Sequence, residues 1–120
     1  MYWVNPCIDV GTGGGDDDVV NFFKKNEFEI VSNTYFDIES DVDIGKVDQD
    51  NLFKLLSNIN HNKAEALFVS CTSLPVLNII EKLEKKLKMV VLSSNQALIW
   101  ETLEKINKNV SVRGFGSLFK

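Results

Sequence analysis

Ala66-Leu67-Phe68-Val69 is a short, wholly apolar run that stops abruptly at Ser70-Cys71-Thr72-Ser73. A run of that length with β-branched and aromatic members reads as a strand buried on both faces, as in the middle of a parallel sheet. Leu74-Pro75 and the periodic apolar residues that follow read as a helix start. Cys71 is therefore expected at the carboxyl end of a central strand, beneath the amino end of a helix. Open α/β sheets bind their ligands at that edge. Backbone amides and the helix dipole favour anions there, a thiolate included.

The remainder of the chain alternates strand and helix. Tyr2–Val4 reads as a first strand, and Asn5-Pro6-Cys7 as a turn leading into the glycine-rich Gly11–Gly15. Asp16 is expected to cap a helix over 17–25, in which Val19, Phe22 and Phe23 form an i, i+3, i+4 apolar stripe. Residues 28–36 favour a strand, and the acidic stretch 37–50 a loop. Asp48 or Asp50 caps a helix carrying Leu52, Phe53, Leu55, Leu56 and Ile59, ended by Asn60-His61-Asn62. After the Cys71 strand comes a helix carrying Leu74, Leu77, Ile80, Leu83 and Leu87. Met89–Leu92 is a further strand, and Ser93-Ser94-Asn95 caps a last helix with Ala97, Leu98, Trp100, Leu103 and Ile106. Right-handed crossovers between such strands predict one α/β domain over 1–120. Its expected form is a four-stranded parallel sheet in flavodoxin-like order 2-1-3-4, with helices on both faces.

Composition removes several function classes. A net charge of −4 with dispersed Lys and Arg gives no nucleic-acid footprint. No apolar run approaches the roughly 20 residues of a membrane span, and Met1–Pro6 lacks the layout of a signal peptide. Cys7 and Cys71 are then expected as free thiols in a reducing cytoplasm.

Ser70 and Thr72 would be poor packing choices around a core cysteine, because buried hydroxyls need partners. At a carboxylate-binding strand end they serve as donors. Ser94 has two readings, helix cap or ligand donor, and Asn95 beside it offers an amide to a carboxylate oxygen. Gly11–Gly15 lacks the Gly-Lys-Ser/Thr ending of a P-loop, and Asp16–Asp18 beside it would repel phosphate. Adjacent helix-start aspartates diverge, which argues against a metal site. His61, the only histidine, falls at the start of the Cys71 strand, away from the thiol.

Ser70-Cys71-Thr72-Ser73-Leu74, Leu83-Glu84, Val90 to Trp100 and Gly114-Phe115-Gly116-Ser117-Leu118 together resemble one family. They look like the C-terminal half of the maleate isomerase and arylmalonate decarboxylase branch of the aspartate/glutamate racemase superfamily. The resemblance implies a two-domain racemase-type fold of which this chain is the second half. The implied chemistry is cofactor-free isomerisation or decarboxylation of a small mono- or dicarboxylate. Cys71 would be the catalytic thiol, and Thr72, Ser94 and Asn95 would bind the carboxylates. Family members commonly have Pro-Tyr where this chain has Pro6-Cys7, which sets Cys7 in a substrate-facing position. The chain spans one half, so a missing N-terminal domain or self-association through the cleft face is expected to complete the site. Alone, the chain is expected to be inactive. The alternative is a non-catalytic carboxylate-binding or interaction module that keeps the fold.

Overall fold

The computed structural model describes residues 7–11, 16–35, 41–59, 64–70 and 72–119. The strands are β1 (Cys7–Gly11), β2 (Ile30–Tyr35), β3 (Ala66–Val69) and β4 (Val90–Ser93). The helices are α1 (Asp16–Lys25), α2 (Asp41–Gly45), α3 (Gln49–Ser57), α4 (Ile80–Leu87) and α5 (Ser94–Lys105). All strand pairs are parallel, in the order β2-β1-β3-β4.

Alternation along β3 sorts the two faces of the sheet. Leu67 and Val69 point to one side, where with Val91 they meet Leu52 and Leu56 of α3 and Ile80, Leu83 and Leu87 of α4. Phe68 and Ser70 belong to the other side, where Phe23 of α1 packs edge-to-face on Phe68 at 5.1 Å. Helices therefore cover both faces, because a parallel sheet needs a crossover for every strand step.

Three local expectations are corrected. The described first strand is Cys7–Gly11, in the stretch read as a turn, where Ile8 and Val10 alternate with smaller or polar residues. Tyr2–Val4 lies outside the described residues. Within the acidic 37–50 stretch a five-residue helix, α2, forms before Asp48 caps α3 by accepting from the Asn51 N–H at 3.0 Å. Pro75 does not open a helix. The Val76 N–H turns back to the Leu74 carbonyl at 2.8 Å, a 3-10 turn follows at Leu77–Ile79, and α4 begins only at Ile80.

The C-terminal segment folds back onto this frame through Glu84. Its carboxylate accepts from the Val91 N–H (3.1 Å), the Ser117 N–H (2.8 Å) and the Ser117 hydroxyl (2.6 Å), joining α4, β4 and the closing 3-10 turn Ser117–Phe119. Among the described residues no helix is long and apolar enough to cross a membrane.

Candidate active site at the carboxyl edge of the sheet

The register aligns Val10, Val69 and Ser93 as the last paired level of β1, β3 and β4. Ser70, half-buried, is the first residue beyond β3, and Thr72 is exposed in the turn after it. Cys71, between them, lies outside the described residues. So does His61.

Beside that turn, β4 runs directly into α5. Ser93 is the cap: it is extended (φ −130°, ψ 160°), and its hydroxyl accepts from the Gln96 N–H at 3.2 Å. The Gln96 side-chain oxygen accepts from the Ser93 N–H at 3.0 Å, closing a capping box. Both side chains are fully buried, and the Gln96 amide also donates to the Phe115 carbonyl. The capping alternative for Ser94 is thereby removed. A box centred on Ser94 would need an acceptor at position 97, which is alanine. Ser94 is left half-buried with its hydroxyl uncommitted to the helix, on the wall of a cleft.

Asn95 ties the two strand ends together. Its side-chain amide donates to the Thr72 carbonyl at 2.8 Å, clamping the first turn of α5 to the turn that follows Cys71. One of the two amide hydrogens is spent on this bond. The source of positive potential also changes identity. α4 starts too late to aim its amino end at residues 70–72, whereas α5 starts beside them. Helix geometry leaves the Ser94 and Asn95 N–H groups without intrahelical acceptors, and the dipole places about half a positive charge there.

Below this edge lies a cleft of about 380 Å3. Val19, Phe22, Phe23 and Phe68 make its apolar wall, while Asp18, Ser70 and Ser94 supply polar groups. Among the described residues no cluster of three His, Cys, Asp or Glu is placed to hold a metal.

Cys7 is not brought to this edge. It opens β1 opposite Ala66 and Ile30, four residues below the level of Ser70, or roughly 13 Å at strand rise. Sequence reasoning also passed over Gln96, although the Ser-x-x-Gln spacing was its signal. Phe68 was taken only as strand core.

With the geometry in hand, comparison with known proteins is decisive for the family. The sequence model of the arylmalonate decarboxylase family matches residues 13–119. The chain belongs to that family. A maleate isomerase from Geobacillus stearothermophilus is 25% identical over 101 residues, covering 83% of this chain and 40% of the isomerase. A Nocardia farcinica maleate cis-trans isomerase, solved as a mutant with a covalently bound succinylcysteine intermediate, superposes with a TM-score of 0.88 at 19% identity. It covers 96% of this chain and 48% of the isomerase. A crystal structure of arylmalonate decarboxylase gives a TM-score of 0.86 at 19% identity, covering 97% of this chain and 53% of that one. At these identities the solved structures establish the fold. The chain spans about half the length of the relatives it matches.

Proposed function

We propose that this chain is the second half of a two-domain, racemase-type enzyme that isomerises or decarboxylates a small carboxylate without metal or cofactor. The observation that carries the reading is the Asn95–Thr72 hydrogen bond, which fixes the amino end of α5 against the turn bearing Cys71. In this reading the α5 first-turn amides, the Ser94 hydroxyl, the free Asn95 amide hydrogen and Thr72 receive the carboxylate. They hold negative charge as it spreads from the adjacent carbon. Cys71 as thiolate adds to that carbon or, as thiol, delivers a proton to it. The succinylcysteine of the Nocardia farcinica isomerase supports a thiol in this role.

The reading also calls for a second body. Leu98 and Ile99, one turn along α5 from Ser94 and Asn95, are 64% and 45% exposed. Apolar side chains exposed beside a half-built site favour a face that another half covers, either a first domain or a second copy. A reducing cytoplasm suits the free thiol.

The test is protection of Cys71 from iodoacetamide in a Cys7→Ser variant. Millimolar phenylacetate is expected to slow alkylation several-fold while an equal concentration of benzyl alcohol has no such effect. Equal rates with and without carboxylate would remove the reading.

A further inference from the structure

Polar bonds, more than packing, hold α5 in place. Its one buried side chain is Gln96; Ala97, Trp100 and Leu103 are half-buried, and Leu98 and Ile99 are exposed. A buried carboxamide is tolerated only when its groups are paired. The Gln96 oxygen accepts from the Ser93 N–H at 3.0 Å, and its amide donates to the Phe115 carbonyl. A glutamate at this third helical position would complete the capping box as well. At neutral pH only the amide can also donate to a carbonyl. The bond to Phe115, not the cap, is therefore what calls for glutamine at position 96.

The Phe115 carbonyl belongs to a segment closed on itself and fixed to the core. The Val112 N–H donates to the Phe119 carbonyl at 3.1 Å, and Phe119 is buried. Gly114 and Gly116, at φ +90° and +87°, turn the chain on either side of Phe115. Glu84 of α4 accepts from the Ser117 N–H and hydroxyl. The first turn of α5 is thus tethered twice. Asn95 ties it to the Thr72 carbonyl beside the site, and Gln96 ties it to residues 112–119. Successive helical positions point about 100° apart around the axis, so the two tethers fix different directions. Losing one lets the helix end pivot about the other, and N–H groups aimed at a ligand are sensitive to such a rotation.

We propose that Gln96 is a positioning residue through which the C-terminal segment 112–119 sets the aim of the α5 first-turn N–H groups, and with it the carboxylate affinity of the edge. This role rests on the carboxylate reading of the edge and deepens it by naming what holds the edge in shape. Gln96 is buried and Glu84 lies on α4, so both act through the helix rather than on the ligand.

The experiment measures, in the full Cys7→Ser chain, the phenylacetate concentration that halves Cys71 alkylation by iodoacetamide. Gln96→Met keeps length and neutrality but loses both side-chain bonds, and the half-protecting concentration is expected to rise about fivefold. Glu84→Gln loosens the segment from its far end and is expected to raise it about twofold. Charge alone predicts the opposite sign, since removing a carboxylate favours an anion at the edge. Leu56→Val, a core substitution on α3, is the control: it should lower the unfolding midpoint and leave the half-protecting concentration unchanged. Amide spectra verify that each variant is folded; if Gln96→Met is not, Glu84→Gln decides. Unchanged or tighter protection in either folded variant, or an equal rise in Leu56→Val, would overturn the inference and leave the carboxylate site standing. A native chain that phenylacetate does not protect would overturn both.

Discussion

Gly116→Ala is expected to destabilise the fold by about 3 kcal/mol, one of the larger effects available from a single methyl group. Gly116 has φ +87°, a conformation that costs a side-chain-bearing residue about 1–2 kcal/mol. A Cβ built there meets Ile80 Cγ2 at 2.7 Å and Glu84 Oε1 at 3.1 Å. Ile80 is fully buried in the α3–α4 core and has nowhere to retreat. Glu84 is held by Val91 and Ser117, so it cannot swing away without releasing β4 and the C-terminal turn. Gly114 is the control. It shares the positive φ, at +90°, but its nearest neighbour to a new Cβ is Glu81 Oε2 at 3.9 Å. Gly114→Ala should therefore show the conformational cost alone, about 1 kcal/mol. Thermal unfolding separates the two, with a midpoint lowered by on the order of 10 °C for Gly116→Ala and a few degrees for Gly114→Ala.

Cys71→Ser is expected to lower turnover by about 10^3-fold or more. The comparison is made in an enzyme completed with the half of a maleate isomerase that this chain does not match, assayed for fumarate formation or phenylmalonate decarboxylation. Serine preserves shape and hydrogen bonding, but its hydroxyl is a far weaker nucleophile and acid at neutral pH. Substrate binding should change little, because the proposed function assigns the carboxylate contacts to Ser94, Asn95, Thr72 and the α5 amides. A fall in kcat with little change in KM is the expected signature. The same completed enzyme should tolerate Cys7→Ser, since Cys7 lies at the opposite edge of the sheet.

The α/β alternation was legible because β3 and β4 are compact apolar runs and because Phe23, Leu52, Leu56 and Leu83 recur at helical spacing. The five-residue α2 was not, being shorter than the period needed to announce a helix. Pro75 misled because proline at a helix start and proline in a turn leave the same local mark. Displacing that helix by five residues moved the positive end from α4 to α5, which altered the physical argument for Cys71 without altering its place in the chain. Ser94 reads as a cap from its position, but the cap lies one residue earlier, at Ser93. Only the reciprocal bonds of Ser93 and Gln96 fix that boundary. The exposure of Phe22 was invisible in the stripe it shares with Val19 and Phe23, because periodicity separates faces but does not say how far a neighbour covers each one.

The central claim is that the α5 amino end makes Cys71 a reactive thiol, and its alkylation rate at pH 7 tests this most directly. In the Cys7→Ser chain, Cys71 is expected to react with iodoacetamide at least about fivefold faster than glutathione, as a thiol stabilised as thiolate does. Asn95→Ala, which releases α5 from Thr72, should remove most of that advantage. A rate equal to or below that of glutathione would contradict the account and leave the edge a binding site without an activated nucleophile.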